Sequence, residues 1–284
     1  MQAHPTAARR TTGIHSDPAS YPARAAAIAV ARPIPLPRLD LAQQVLVVPQ
    51  QHEEAAVHDR GVVEPEQLVD RGRRPRSYAP ALRELEKSQK TRGKRRQLDV
   101  IDDVNARADA EGWNIRVLTG IEVDILDDGR LDQTDELLDR LDVVVASVHS
   151  KLRMDSDDMT KRMVTAIANP RVDVLGHCTG RLITGGRGTR PESTFDADIV
   201  FAACERFGVA VEINSRPERL DPPMRLLRDA VEAGCRFSID TDAHAPGQLE
   251  WQPYGCERGE VAGVPPERIV NTWPVDDLLA WTHH

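Results

Sequence analysis

The sequence predicts an α/β fold from about residue 97 onward, in which buried parallel strands alternate with helices. Apolar runs rich in β-branched residues are typical of strands buried on both faces, and they span residues 115–125, 141–150, 172–178, 209–215 and 236–244. Helical patterns lie between these runs, at residues 134–141, 157–168, 195–208 and 222–234. The last two patterns end at Gly208 and Gly234, since the left-handed backbone beyond a helix end favours glycine. This alternation favours a parallel sheet joined by right-handed helical crossovers.

The first 96 residues differ in composition from the rest of the chain. Residues 1–97 hold 17 Lys and Arg against 10 Asp and Glu, together with 10 of the 20 prolines, whereas the remaining residues hold 20 basic against 35 acidic side chains. Apart from a candidate strand at 44–50 and a candidate helix at 79–90, this segment has little sustained periodicity. We therefore predict that residues 1–96 are weakly structured or irregular.

Two interpretations of this basic, Pro- and Arg-rich segment stay open. It is either a divergent arm, whose charge would suit contact with nucleic acid or simply a solvated surface, or an out-of-frame translation of GC-rich DNA. The second interpretation is favoured because a foldable segment usually agrees with its context at several levels, and this one joins the regular pattern abruptly near residue 97.

We expect neither a membrane partner nor export, although an apolar stretch follows Arg9 and Arg10 as it would in a signal sequence. The chain's most apolar early stretch, residues 25–31, is far shorter than the about 20 residues of a spanning helix. The four cysteines, which form no CxxC pair, are Cys178, Cys204, Cys235 and Cys256. Unpaired cysteines are typical of a reducing compartment, so we expect a cytoplasmic protein.

Polar residues close each predicted strand at regular intervals. They are Glu122, His149, His177, Asn214 and Asp242, spaced 27, 28, 37 and 28 residues apart. These spacings are close to the length of one strand and one helix. In a β/α barrel the carboxyl ends of all strands open on one face, so we expect these side chains to surround one pocket, with Asp240 in a supporting role.

The expected pocket carries a ligand set of nitrogen and oxygen donors, namely Glu122, His149, His177, Asp242 and His244. Such donors suit Zn²⁺, Mn²⁺ or Fe in an open catalytic site. Cys178 should turn away from the pocket because it follows His177 directly. A metal-activated hydroxide attacks phosphoesters readily, so we predict phosphoester hydrolysis with Glu122, His149 and Asp242 as candidate catalytic residues.

Basic, Gly-rich loops follow the same strand ends. Arg181 and Arg216 are the candidate phosphate contacts, because guanidinium groups match phosphate geometry. The alternative is that both are ordinary surface arginines.

Several ordered motifs resemble one known family. They are GIEVDILDDGRLD, LDVVVASVHS, NPRVDVLGHCTGRL, VEINSRPERLD, DTDAHAPGQL and VNTWPVDDLLAW. The chain resembles the polymerase and histidinol phosphatase (PHP) superfamily from about Gln97 to Trp281, and most of all the PHP domain of bacterial family X DNA polymerases and of stand-alone actinobacterial PHP-domain proteins. The resemblance implies a distorted (β/α)₇ barrel over residues 97–284, with its first strands divergent or missing.

The same resemblance implies two or three divalent metal ions and hydrolysis of a phosphomonoester or of the 3′ end of DNA. Glu122, His149, His177, Asp242 and His244 fall on the family's ligand positions. The expected partners are therefore a phosphorylated small molecule or a DNA 3′ end. We do not expect polymerisation by this chain, and a separate DNA-repair or polymerase partner could supply it.

One departure from the family pattern limits this expectation. Members of the family open with an HxH strand that completes the metal centre, and the present sequence contains no HxH. His15, His52 and His58 have the wrong spacing or context to replace it. The alternative function is thus a catalytically impaired barrel that binds metal or phosphate. An amidohydrolase barrel is disfavoured, because it would need its own HxH and a bridging lysine on a strand.

Overall fold

The computed structural model describes residues 28–31, 97–112, 115–186 and 188–282. The strands observed there are β1 (Ile28–Ala31), β2 (Ile115–Leu118), β3 (Gly120–Asp124), β4 (Val143–Ser147), β5 (Val174–Leu175), β6 (Ala210–Asn214) and β7 (Phe237–Asp240). The α-helices are α1 (Gln97–Glu111), α2 (Asp135–Leu138), α3 (Ser156–Ile167), α4 (Ala197–Phe207), α5 (Met224–Glu232), α6 (Gln252–Ala262) and α7 (Val275–Thr282). The candidate strand at 44–50 and the candidate helix at 79–90 lie outside the described residues.

Five of the strands form one parallel sheet in the order β3-β4-β5-β6-β7. Its register pairs Glu122 with Val145, and Asn214 with Asp240. Neighbours in the sheet are also neighbours along the chain, and one helix lies between each pair of strands. The predicted α/β class with a parallel sheet and intervening helices is therefore confirmed.

A second, smaller sheet joins the N-terminal segment to the rest of the chain. β1 pairs with β2 in antiparallel register, from Ile28 opposite Leu118 to Ala31 opposite Ile115. The sequence periodicity did not predict β1. The described residues contain five parallel strands, so a closed barrel of seven strand-helix units remains a proposal.

The sheet has one face covered by helices, which we call the helix-covered face. It contributes to the main core the side chains of Ile121, Val123, Val144, Ala146, Leu175, Val211, Ile213, Phe237 and Ile239. The helices supply Met159, Met163, Phe201 and Leu227. Burying each such side chain stabilises the fold by roughly 1.5–3 kcal/mol, so this layer fixes how the strands stand beside one another.

On the opposite face, which we call the site face, the side chains change from apolar to polar along the strands. Near the strand starts it is apolar, through Val143, Val145, Val174 and Ala210, and it packs with Leu118 of β2 and with Val270 and Leu278 of the C-terminal part of the chain. Because side chains alternate along a strand, the same face continues toward the strand ends with Glu122, Ser147, Glu212, Asn214 and Asp240. Polar side chains are thus concentrated where the parallel strands end.

A buried arginine ties a helix to the loops that follow β3 and β4. Arg162 of α3 is 1% exposed. Its Nε donates to the carbonyl of Ile125 at 3.1 Å, and its Nη1 donates to the carbonyl of Ser150 at 3.0 Å. Both acceptors lie next to strand-end residues, so α3 holds the two loops that carry the candidate site.

Helices long and apolar enough to cross a membrane are not found in the described part of the chain.

Candidate metal centre

Three predicted ligands meet at the ends of neighbouring strands. Glu122 lies within β3, whereas His149 and His177 each follow their strand, β4 or β5, by two residues. His177 Nε2 is 2.9 Å from Glu122 Oε1, and His149 Nε2 is 3.3 Å from the same oxygen. The two imidazole rings meet edge to face with centroids 5.0 Å apart. The predicted convergence of strand ends brings these three side chains together.

A second carboxylate holds the far side of one imidazole. Asp124 Oδ1 forms a short hydrogen bond with Nδ1 of His149. Burial lowers the pKa of His149, but hydrogen bonds to Asp124 and Glu122 outweigh that effect and raise the pKa to about 10. Without a metal ion, His149 is therefore a cation between two carboxylates. A carboxylate behind a ligating histidine is the arrangement that fixes the orientation of the ring in metal sites.

The pKa values of the other two ligands, Glu122 and His177, are both lowered. Burial raises the pKa of Glu122, but hydrogen bonds with His149 and His177, together with the positive charge of His149, outweigh burial and lower it well below its usual value. Burial and the positive charge of Arg219 lower the pKa of His177. Glu122 is thus ionised and His177 favours its neutral form, which are the protonation states that a metal ion needs in its ligands.

The donor set fits a divalent metal ion. One ligand atom from each of Glu122, His149 and His177 lies within 4.8 Å of the others, and the described residues contain no second group of this kind. Two imidazole nitrogens and one carboxylate oxygen match the three protein ligands of open catalytic zinc sites. His177 Nδ1 is buried without a hydrogen-bond partner among the described residues, so its ring is held from the Nε2 side.

The other two predicted ligands lie in a neighbouring cluster with two buried arginines. Asp242 has a left-handed backbone, with φ of 49°, and its Oδ2 accepts from Arg219 Nε at 3.0 Å. The same oxygen lies 3.6 Å from Arg216 Nη1. His244 Nδ1 is 2.8 Å from the Asp242 carbonyl oxygen. Asp242 and His244 therefore contact each other and the arginines, and they are not part of the group formed by Glu122 and the two strand-end histidines.

The two predicted phosphate contacts have different surroundings. Arg216 is 4% exposed, stacks on the Trp251 ring at 5.4 Å, and lies 3.4 Å from His244 Nδ1. Arg181 donates from Nε to the carbonyl of Arg219 at 3.0 Å and from Nη2 to that of Leu220. Arg216 thus borders the Asp242 cluster, whereas Arg181 holds the loop that carries Arg219.

Cys178 lies away from the three ligands, as expected. It is buried in the core of the helix-covered face, and its Sγ is 3.7 Å from Asp221 Oδ1. Asp240, expected in a supporting role, accepts from Ser238 Oγ at 2.6 Å. Burial raises the pKa of Asp240 to about 6 against the effect of that hydrogen bond.

Two residues around the site were missed by the sequence reasoning: Asp124 and Glu212. Asp124 had a usable signal, because it lies two positions after Glu122 and so shares its face of the strand. Glu212 had a similar one, two positions before Asn214.

Glu122, His149 and His177 at the strand ends of a parallel sheet define an α/β fold with a candidate divalent-metal centre. Comparison with known proteins adds to this description. Over 187 residues the chain is 34% identical to the DNA polymerase/3′-5′ exonuclease PolX of Bacillus subtilis, a match that covers 66% of this chain. It is 29% identical over 168 residues to a probable phosphatase of Thermoanaerobacter sp. (strain X514), covering 56% of this chain.

These matches confirm the predicted resemblance: the chain is similar to a DNA polymerase/3′-5′ exonuclease and to probable phosphatases. No family model matches it. The chain spans 31% of the length of the polymerase and 64% of that of the phosphatase. Among solved structures, histidinol phosphate phosphatase of Lactococcus lactis, complexed with zinc, L-histidinol and phosphate, aligns with a TM-score of 0.42 at 16% identity, covering 57% of this chain and 72% of that one.

Proposed function

We propose that this chain hydrolyses phosphoesters with divalent metal ions held by Glu122, His149 and His177. The observation that carries the proposal is the convergence of these three ligand atoms within 4.8 Å, with Asp124 hydrogen-bonded behind His149. Ligand type favours Zn²⁺, Mn²⁺ or Fe, and a complete centre of this family's kind would hold two or three ions.

Asp242 and His244 are the proposed ligands of a neighbouring ion. Residues 97–284 are the proposed metal-dependent phosphoesterase domain, a distorted (β/α)₇ barrel, and residues 1–96 the divergent segment before it.

A divalent ion at this site would supply a Lewis acid that polarises a phosphoryl oxygen and acidifies a water molecule. The chain's own residues have separate tasks. Asp124 keeps the His149 ring in one orientation and one tautomer, and the carboxylate of Glu122 offsets the positive charge that gathers in the site. Glu122, His149 and Asp242 are the proposed catalytic residues because they border the place where the phosphoryl group would react.

Binding of the phosphoryl group is assigned to the arginines of the neighbouring cluster. Arg216 and Arg219 are both buried, at 4% and 6% exposure, and Arg219 Nη1 has no hydrogen-bond partner among the described residues. A buried, incompletely bonded guanidinium favours an anionic partner. Arg181 acts on the same phosphate indirectly, because it donates to the carbonyls of Arg219 and Leu220.

The proposed substrate is a phosphomonoester or the 3′ end of a DNA strand. Both are compatible with a site of this chemistry, since each presents a phosphoester to the same metal and arginines. The names of the two relatives, a probable phosphatase and a 3′-5′ exonuclease, support these two substrate classes equally. A DNA-repair or polymerase protein is the proposed partner if the substrate is DNA.

A second candidate function is binding of metal or phosphate without turnover. It is favoured by two observations. Asp242 is held by Arg219 and lies close to Arg216, and the sequence lacks the HxH ligands of the family. A centre reduced to Glu122, His149 and His177 would hold one ion and lack the second ion that stabilises a leaving group.

One experiment separates the two candidates. The full chain is purified without chelator, its metal content is measured, and hydrolysis of an aryl phosphate and of a 3′-labelled DNA strand is followed with added Mn²⁺. Hydrolysis that is lost in Glu122→Gln but kept in Asp128→Asn, an exposed control on the following loop, supports the phosphoesterase. Bound metal with no hydrolysis of either substrate supports the binding function.

A further inference from the structure

Strand β5 changes the direction of its side chains just before the site. Val174 packs on the site face with Val145 and Ala210, and Leu175 packs on the helix-covered face. Strict alternation would then point Gly176 to the site face and His177 away from it. Instead, His177 Nε2 reaches Glu122 on the site face. Gly176 and His177 therefore both point to the site face, so the alternation of side chains between the two faces is shifted by one residue at this point.

This shift coincides with a break in the ladder between β5 and β6. The paired register ends at Leu175 opposite Val211, although β6 continues to Asn214. Beyond that point the backbone N–H of His177 donates to the side-chain carboxylate of Glu212 in a short hydrogen bond. The Glu212 side chain has thus replaced a backbone acceptor. Because the regular ladder ends here, the chain can turn the His177 side chain toward the site face.

The Glu212 carboxylate is itself held in place. Its residue is 5% exposed, and its Oε1 accepts from Asn214 Nδ2 at 3.1 Å. Gly176 leaves the required room, because a Cβ atom there would lie 2.2 Å from Ser147 Oγ and 3.6 Å from Glu212 Oε2. The geometry around the shift therefore depends on a glycine, a buried carboxylate and an amide acting together.

We propose that Glu212 is the positioning residue that makes His177 a metal ligand. Its carboxylate accepts a hydrogen bond from the His177 backbone N–H and so keeps the His177 side chain on the site face, without touching the metal or the substrate. The proposal rests on the proposed metal centre, but it concerns the geometry of one ligand and does not depend on turnover.

The test compares two substitutions of nearly equal size. Glu212→Gln keeps an oxygen acceptor for the His177 N–H, and Glu212→Met removes it. Zn²⁺ affinity is measured by competition with a chromophoric chelator, with Asp173→Asn, at another buried carboxyl group directly before β5, as the control. Partners behind a ligand typically contribute about 10–100-fold to metal affinity. We expect a loss of that size in Glu212→Met and a loss below about threefold in Glu212→Gln and the control.

A second readout separates positioning from a general loss of structure. Imidazole ¹H–¹⁵N spectra, assigned with His149→Gln and His177→Gln variants, are recorded with and without Zn²⁺. In Glu212→Met we expect the His149 signals to shift on Zn²⁺ addition and those of His177 to stay near their metal-free positions. Equal Zn²⁺ affinity in Glu212→Met and Glu212→Gln, or an unchanged His177 response in Glu212→Met, would overturn the proposal. Failure of the wild-type chain to bind Zn²⁺ would instead count against the metal centre itself.

Discussion

Asp124 and His149 form a hydrogen-bonded pair in which the carboxylate binds Nδ1 and leaves Nε2 directed toward Glu122. The two residues stand on neighbouring strands, Asp124 at the end of β3 and His149 just after β4. This pairing decides which imidazole nitrogen is available as a ligand, so the second carboxylate on β3 is as much part of the candidate centre as Glu122.

The first prediction concerns this pair. Asp124→Ala removes the acceptor behind His149, so the ring loses its fixed orientation and its tautomer. We expect Zn²⁺ affinity to fall about 10–100-fold, measured by chelator competition. Asp128→Ala is the matched control, because Asp128 is exposed and pairs with Arg130 on the surface. An Asp124→Ala variant with wild-type affinity would show that His149 is oriented by other contacts.

The second prediction concerns the buried pair of Arg219 and Asp242, whose side chains are 8% and 7% exposed. Arg219→Met leaves Asp242 with a buried carboxylate that has lost its hydrogen bond at 3.0 Å. Leaving a buried hydrogen-bonding group without its partner costs about 1–3 kcal/mol of unfolding free energy, and more when the group is charged. The expected loss is measured by urea unfolding of the metal-free protein.

A double-mutant cycle tests whether that loss comes from the pair. Asp242→Asn removes the negative charge, so Arg219→Met should cost less in that background than in the wild type. Equal costs in both backgrounds would mean that Arg219 stabilises the chain through packing and not through Asp242.

Much of the fold was predictable because the five parallel strands are buried on both faces and are apolar over most of their length. Glu122, His149 and His177 were predictable for a related reason, since a polar residue that ends an apolar run stands out. The shift in alternation before His177 was not predictable. It depends on a hydrogen bond from the His177 backbone N–H to the side chain of Glu212 in β6. No periodic pattern in the sequence indicates such a bond.

The strand β1 illustrates a different limit. Ile28–Ala31 is short and carries three alanines or valines in four residues, so neither its length nor its pattern separates it from a helix or a loop. Its pairing with β2 depends on a partner more than 80 residues away. Long-range antiparallel pairing of such a segment cannot be inferred from local periodicity.

The third prediction concerns pH and a buried carboxyl group directly before β5. Asp173 is 3% exposed, and burial raises its pKa well above the usual value despite a hydrogen bond from the Val144 N–H. An acid with a raised folded-state pKa binds its proton more tightly when folded. Its stabilising effect is therefore complete below the unfolded-state pKa, about 3.9 for Asp, and is lost as pH rises toward the folded-state pKa.

Asp173→Asn removes this titration. The stability of the variant relative to wild type should therefore increase as pH rises from 4 toward 7, as measured by urea unfolding at several pH values. Asp102→Asn, an exposed substitution on α1, is the control for the removal of one carboxylate. A constant difference between Asp173→Asn and wild type across that range would contradict the raised pKa.

The fourth prediction concerns the two strand-end residues that lie outside the three-ligand group. Asp242 is already paired with Arg219 and lies 3.6 Å from Arg216, so an ion bound there must compete with two positive charges. We expect the first Zn²⁺ to bind at Glu122, His149 and His177, and any ion at Asp242 and His244 to bind more weakly. Bound zinc is counted by mass spectrometry after dialysis at a series of free Zn²⁺ concentrations.

Two variants assign the ions. In His149→Ala the tight ion should be lost, together with the thermal stabilisation that Zn²⁺ gives by binding the folded state, about 2.7 kcal/mol when free Zn²⁺ is 100 times its dissociation constant. In His244→Ala the tight ion and its stabilisation should remain, and only the weaker ion should disappear. Loss of all bound zinc in His244→Ala, or a tight ion that survives in His149→Ala, would mean that Asp242 and His244 form the principal site and that their contacts with the arginines yield to the metal.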